Sequence, residues 1–218
     1  ALGVKAGEEV ILPPLSFVAT ANAVSHLGAI PHFVDIEKGN LGLSHLELEK
    51  RFDDIAIVKD GSTWNRETNR RIAAILPVHI FGVPANINEI KNVAKKWKIP
   101  VVEDAAEALG SFVSAQKEFI HCGLIGDIGT LSFNGNKIIT TGGGGALLIK
   151  DKSLAEKIKH ISTTSKIPHK WEFNHDQIGW NDRLPNLNAA LGVSQLEDFQ
   201  SRIQKKAILS DKYANVFR

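Results

Sequence analysis

Residues 9–36 read EVILPPLSFVATANAVSHLGAIPHFVDI, and the order of patterns in that stretch constrains the fold more than any single residue. EVILPP is a short apolar run of the buried-strand type, stopped by prolines. In FVATANAVSHLG, Ala21, Val24 and Leu27 recur on one helical face, and Gly28 stands where a helix would end. IPHFVDI returns as a second strand, closing with Asp35. Strand, helix and strand within about 30 residues is the signature of a βαβ unit.

The pattern repeats down the chain. Ser44 and Glu47 form an S-x-x-E capping box for a helix through Phe52. RIAAILPVHI (71–80) is largely apolar with several β-branched residues, as a strand buried on both faces should be. Asn86 with Glu89 predicts another cap, and Ile87, Ile90, Val93 or Ala94, and Trp97 form one apolar stripe. IPVVEDAAE (99–107) is the next strand and ends in acid. DIGTLSFN and GALLIK predict two further strands on either side of a glycine run. Ser153 and Glu156 predict the cap of a helix with Leu154, Ile158 and Ile161 inside, and from Leu184 the spacing predicts two helices in series. The segment TTSKIPHKWEFNHDQIGWN (163–181) has no clear period, but its aromatics and histidines favour a binding loop over a connector. Such alternation implies an α/β protein with a largely parallel sheet, whose ligand sits at the carboxyl ends of the strands.

Composition removes several classes of function. With 26 basic and 24 acidic residues the net charge is +2, so no overall field selects for nucleic acid or a membrane surface. Cys122 is the single cysteine, which excludes an internal disulfide framework and fits a reducing, cytoplasmic setting. One cysteine and scattered histidines give no zinc framework, and no metal is expected. No apolar run approaches the roughly 20 residues that span a bilayer. The chain opens at Ala1 almost directly into a strand, contains no methionine and stops inside a helical pattern, as a segment of something longer would.

Two residues carry the chemistry. Asp104 ends the strand PVVED and so belongs at the carboxyl edge, where a capping or turn role is the ordinary alternative. Glu103 should face the opposite side of the same strand. Lys137 lies in SFNGNKIITTGGGG, between an apolar strand and four consecutive glycines. Most lysines are solvated surface charges, but one held in a low-polarity pocket is an amine nucleophile toward carbonyls. The glycines make no P-loop, since the G-K-[ST] ending is missing; no G-x-G-x-x-G follows a strand, and no G-x-S-x-G elbow is present. A strand-end carboxylate and a lysine 33 positions later suit pyridoxal 5′-phosphate, which needs an amine for its aldehyde and an acid for its ring nitrogen.

Taken in order, LPPLSFVATANAV, FVDIE, PVHIFGVPANINEI, VVEDAAEALGSF, GDIGTLSFNGNKIITTGGGGALL and IGWNDRLPNLNAALGVSQLE resemble the DegT/DnrJ-like sugar-nucleotide aminotransferases along nearly the whole chain. The resemblance implies a three-layer αβα large domain of the aspartate-aminotransferase class (fold type I), pyridoxal phosphate as cofactor, and a homodimer. It also implies transfer of an amino group from glutamate to a nucleotide-linked keto sugar. By position, Lys137 matches the lysine that binds the cofactor and Asp104 the partner of its ring nitrogen. Phe17 matches the aromatic that stacks on the ring, and Ser132 a phosphate-binding hydroxyl. Asn181 matches the asparagine that reaches the phosphate in the neighbouring subunit. Glu107 stands where many relatives carry Gln beside the cofactor's phenolic oxygen.

The family's N-terminal Gly-Thr helix and its smaller C-terminal domain have no counterpart in the sequence. The resemblance therefore implies a large domain over 1–182, followed by a helical segment over 183–218 that leads toward the small domain. LSFNGNKIITTGGGG and SKIPHKWEFNHDQIGWN are most similar to the LegC-like branch, which aminates carbon 4 of a UDP-linked 4-keto-6-deoxy N-acetylhexosamine for surface glycans. His169, Trp171 and His175 are then the substrate-facing residues, with Lys166, Lys170 and Arg183 as candidates for the diphosphate. Relatives that dehydrate the sugar instead lose the lysine, so Lys137 argues against that activity. A non-catalytic cofactor- or sugar-nucleotide-binding domain is the alternative of a different class.

Overall fold

The structure is a computed structural model that describes residues 1–115 and 118–217. In chain order its elements are β1 (Glu9–Leu12), α1 (Val18–His26), β2 (Ile30–Phe33), α2 (His45–Ile55), β3 (Ala56–Lys59), β4 (Ser62–Asn65), β5 (Arg70–Ile75), α3 (Ile87–Lys96), β6 (Val102–Asp104), β7 (Phe112–Ala115), β8 (Glu118–His121), β9 (Ile128–Ser132), β10 (Gly145–Leu148), α4 (Lys152–Ser162), α5 (Asn186–Glu197) and α6 (Phe199–Val216). The chain divides into two compact units, one of Ala1–Leu131 with Leu147–Arg183 and the other of Ser132–Ala146 with Leu184–Arg218.

The expected α/β layering is present in the first unit. β1 pairs in parallel with β2 on one side and β5 on the other, and β6 pairs in parallel with β9. Backbone beyond β5 carries the sheet across to β6: Ile75 N donates to Pro100 O at 3.0 Å, Asp104 N to Pro77 O at 2.9 Å, and His79 N to Asp104 O at 3.0 Å. Neighbouring residues on a strand face opposite sides. Ile11 and Ile75 accordingly pack with Leu48, Phe52, Ile87 and Ile90 from α2 and α3, whereas Val10 and Ala74 pack with Val24 of α1. Those two clusters make the three layers, and each fully buried Ile or Leu among them contributes about 1.5–3 kcal/mol.

Local signals worked where a side chain was committed to the backbone. Ser44 Oγ accepts from Glu47 N at 3.3 Å, as the capping box predicts. The other two caps are corrections. Asn86 makes no capping bond, because its amide is drawn off to Glu37 Oε2 at 2.5 Å. Helix α4 is capped by Asp151, whose carboxylate accepts from Leu154 N at 2.6 Å, so Ser153 lies inside the helix.

Two antiparallel strand pairs, β3–β4 and β7–β8, occupy stretches for which the sequence predicts no element. The first had a usable signal, for Asp60-Gly61 turns between strands with φ of 51° and 72°, as a two-residue I′ hairpin requires. Residues 163–181 are not a structureless loop either. Thr163 bridges Asn181 and Lys166 bridges His175, both antiparallel, and Ser165 at their centre is fully buried.

Within the second unit, Ser132–Ala146 groups with the C-terminal helices. Hydrogen bonds explain the grouping. Thr140 N donates to Gln195 Oε1 at 2.9 Å, and Asn188 Nδ2 donates to Thr141 O at 2.5 Å. Two helices in series, α5 and α6, follow from residue 186 as the apolar spacing predicts. Among the described residues, no helix is long and apolar enough to cross a membrane.

Candidate active site

In the first unit, strand alternation places the two acids of β6 on opposite sides. Asp104 is partly exposed at the carboxyl end. Its Oδ2 accepts from Thr20 Oγ1 at 2.7 Å and its Oδ1 from Ala106 N at 3.1 Å. Ser16 Oγ lies 2.5 Å from Thr20 Oγ1, which extends the hydroxyl chain from the loop after β1. Phe17 follows at the N-cap of α1, and its ring is 78% exposed, so it is not a core residue.

Glu103 is fully buried behind the same edge. Its carboxylate meets His79 Nε2 at 2.9 Å, Gly123 N at 2.8 Å, Ile125 N at 2.7 Å and Gly126 N at 2.5 Å. His79 Nδ1 accepts from Ala85 N at 3.1 Å, which leaves the imidazole proton on Nε2, pointing at Glu103. Burial pushes the Glu103 carboxyl up, but the bonds from His79, Gly126 and Gly123 together with the His79 interaction outweigh it, and the net shift is downward. His79 begins a tight turn, Ile80–Gly82, in which Phe81 takes φ 53° and ψ 21°. Glu107 Oε2 holds that turn by accepting from Phe81 N at 2.9 Å, and the Phe81 ring is 78% exposed.

Cys122 lies beside Glu103, fully buried, and burial together with the Glu103 charge pushes its thiol up to about 12. Since the thiolate is the reactive form, a disulfide reagent at pH 8 should leave the native chain unmodified and titrate one thiol per chain in denaturant. Rapid native labelling would contradict this packing.

In the second unit, Lys137 sits partly buried in a turn whose backbone is closed on itself. Phe133 N donates to Gly144 O and Phe133 O accepts from Thr141 N, each at 2.9 Å, and Lys137 N donates to Asn134 O at 3.1 Å. Ile139 and Thr141 are each only 1% exposed, so the segment is anchored on both its apolar and its polar residues. The glycine run serves this turn. Gly142 and Gly144 have φ of 79° and 103°, and a Cβ on Gly144 would come within 2.7 Å of Leu184 Cδ1. Ser132 Oγ, five residues ahead of the lysine, accepts from Asn134 N at 3.3 Å.

The remaining expected residues lie on the 163–181 hairpin. His169 Nδ1 accepts from Glu172 N at 2.9 Å, and His175 Nδ1 donates to Thr164 O at 2.7 Å, so both imidazoles shape the hairpin. Trp171 is 75% exposed, with Lys170 Nζ 4.9 Å from its ring centroid, while Lys166 Nζ stands 3.8 Å over Phe173. Asn181 and Arg183 are exposed near its base. Sequence reasoning missed Ser16, Thr20 and His79. The hydroxyls had one available signal, their i, i+4 spacing immediately after a buried strand. The histidine had none, because its value lies in a contact with Glu103 24 positions away.

The donor sets fit pyridoxal phosphate chemically. The first unit offers a carboxylate with both oxygens fixed and an exposed aromatic at the carboxyl edge; the second offers an amine and a hydroxyl on one braced turn. The whole chain, residues 1–218, matches the DegT/DnrJ/EryC1/StrS aminotransferase family. It is 36% identical over 213 residues to the GDP-perosamine synthase of Escherichia coli O157:H7, covering 98% of this chain and 53% of that protein. It is 34% identical over 219 residues to the UDP-4-amino-4,6-dideoxy-N-acetyl-beta-L-altrosamine transaminase of Campylobacter jejuni serotype O:23/36 (strain 81-176), covering 100% of this chain and 53% of that one. A solved DegT DnrJ EryC1 StrS aminotransferase from Brucella abortus superposes with a TM-score of 0.83 at 26% identity, over 98% of this chain and 53% of its own. The chain thus spans about half the length of the curated relatives it matches. On the full-length match, the fold and the donor sets together, the chain belongs to the DegT/DnrJ/EryC1/StrS aminotransferase family, whose enzymes depend on pyridoxal 5′-phosphate.

Proposed function

We propose that the chain is the cofactor-bearing part of an enzyme that transfers an amino group from glutamate to carbon 4 of a nucleotide-linked 4-keto-6-deoxy sugar. In this reading it works in the cytoplasm as a homodimer, with the large domain over 1–182 and the helical segment over 183–218 leading toward a smaller domain. The observation that carries the reading is Lys137, retained in a chain that matches an aminotransferase family throughout and mounted on a turn braced by hydrogen bonds. The relatives named for GDP- and UDP-linked sugars support a nucleotide sugar as acceptor, and the likeness of the 163–181 hairpin to the LegC-like branch favours UDP.

Pyridoxal phosphate, when bound, supplies the electron sink that makes an amino-bearing carbon acidic. Lys137 Nζ would hold the cofactor through its aldehyde and, as a free amine, would be the base that moves the proton of that carbon. Asp104 would hold the ring nitrogen, Phe17 would stack on the ring, and Ser132 with Asn181 of a neighbouring copy would bind the phosphate. Glu107, with one of its oxygens engaged by Phe81 N, would stand beside the phenolic oxygen. His169, Trp171 and His175 border the sugar, and Lys166, Lys170 and Arg183 meet its diphosphate.

The test is amine transfer by the full encoded chain, supplied with nitrogen-labelled glutamate and a panel of GDP- and UDP-linked 4-keto-6-deoxy sugars. Mass spectrometry should find the label in an amino sugar, with a UDP-linked N-acetylhexosamine preferred. Cofactor bound at Lys137 without transfer to any sugar would overturn the reading in favour of a non-catalytic domain.

A further inference from the structure

We infer that Thr20, backed by Ser16, is a positioning residue for the cofactor, acting by fixing the carboxylate of Asp104; this rests on the reading that Asp104 meets the ring nitrogen. An ionised carboxylate only accepts, so the hydrogen in the 2.7 Å contact between Thr20 Oγ1 and Asp104 Oδ2 belongs to Thr20. Thr20 Oγ1 must then accept in its 2.5 Å contact with Ser16 Oγ, which places the Ser16 hydrogen between the two hydroxyls. Ser16 Oγ has another acceptor at 3.1 Å, Phe17 O, but a proton committed there would leave two oxygens at 2.5 Å with nothing between them. The polarity of the relay is therefore set: Ser16 donates to Thr20, and Thr20 to Asp104.

The fold aims this relay. Thr20 and Val24 are the two buried residues of α1, one turn apart on the same face. The rotation that seats Val24 against Val10 and Ala74 thus also turns the Thr20 hydroxyl, 5% exposed, toward the end of β6. Asp104 is held everywhere else by backbone: Oδ1 by Ala106 N, its N–H by Pro77 O and its carbonyl by His79 N. Thr20 is the only side chain among these contacts, and it fixes the rotation of the carboxylate about its last bond. A carboxylate already turned to its partner has less freedom to lose when the cofactor arrives.

A packing role for Thr20 would look the same in the static structure, so the test separates shape from hydroxyl. Thr20→Val keeps the shape and removes the donor; Thr20→Ser keeps the donor and loses a methyl. On the full encoded chain, pyridoxal phosphate affinity and the pH dependence of its visible absorbance band are measured beside the thermal midpoint. We expect Thr20→Val to bind roughly tenfold more weakly with a displaced pH profile, and Thr20→Ser to stay within about twofold of the parent. Ser16→Ala should move both readouts in the same direction by less. Wild-type affinity and profile in Thr20→Val overturn the inference, as do equal losses in both Thr20 variants that track a lowered midpoint. Asp104→Ala is the reference. If it loses the cofactor and Thr20→Val does not, only the inference falls; if it binds like the parent, the reading of Asp104 falls first.

Discussion

Lys137→Ala should abolish both the covalent capture of pyridoxal phosphate and amine transfer, while leaving the fold intact. Borohydride reduction of the loaded parent chain, followed by peptide mass spectrometry, should place the modification on Lys137 among the chain's lysines. Lys137→Ala should show no label there and no other lysine taking over. Loss of the proton-transfer role alone removes about 10²–10⁴-fold in rate, before the covalent role is counted. Lys137→Arg separates charge from nucleophilicity, because a guanidinium stays protonated and cannot replace the amine; it should be as inactive as the alanine variant. Folding should survive both changes, since the turn is closed by backbone bonds from Phe133 and anchored through Thr140, Thr141 and Ile139, none of which uses the lysine side chain. A folded chain with label and turnover gone is the expected result. Label confined to other lysines, or turnover persisting in Lys137→Ala, would remove Lys137 from the site.

The parts of this molecule that the sequence made legible are those governed by period and by commitment to backbone. The stripe Ile87, Ile90, Val93, Ala94 was readable because a helix of period 3.6 has one face to bury, and all four are buried. Asp104 and Glu103 were separable because adjacent strand residues must part, and the structure sends one to Thr20 and the other to His79. The caps at Asn86 and Ser153 failed for different reasons: the Asn86 side chain is oriented by the bond it donates to Glu37, and the cap of α4 is taken by the carboxylate of Asp151 two residues ahead of Ser153. The hairpins fell below notice because each strand is four residues long, too short for alternation to stand out from its turn. Resemblance supplied the roles of Phe17, Ser132, Glu107 and Asn181, which no pattern in those residues could specify. Neither route supplied the Ser16–Thr20 relay or the His79–Glu103 pair, which exist only once separate strands and helices have met.

Replacing Glu103 should destabilise the fold more than any change at the cofactor residues, although Glu103 touches no substrate in the proposed reaction. The carboxylate is fully buried and saturated by four donors: His79 Nε2 and the backbone N–H groups of Gly123, Ile125 and Gly126. Glu103→Ala leaves all four donors without their acceptor. Each buried donor left without its acceptor typically costs about 1–3 kcal/mol, so losing the shared acceptor of all four removes a large part of a domain's total stability. Glu103→Gln is the informative companion. Its amide keeps one acceptor oxygen, but its NH2 is turned toward donors, so it should recover only part of the loss. The pH dependence follows from the sign of the shift. The folded carboxyl titrates below its unfolded value, so its stabilisation is fully present above the unfolded value, near 4.3, and is lost as pH falls through the lower folded value. Chemical denaturation between pH 7 and pH 3 should therefore show the parent losing stability on acidification more steeply than Glu103→Ala, in which this contribution is already gone. The two curves should converge at the acid end. Parallel curves would mean that the carboxylate's bonds are no stronger folded than unfolded. The loss should also reach the site, because the same pair joins the strand bearing Asp104 to the turn bearing Phe81, and through Glu107 that turn is tied back to the loop after β6. A variant that keeps its secondary structure but binds cofactor weakly is thus expected from Glu103→Gln, whereas Lys137→Ala should keep its fold with no capture. Those opposite signatures separate a residue that holds the edge of β6 in place from the residue proposed to bind the cofactor.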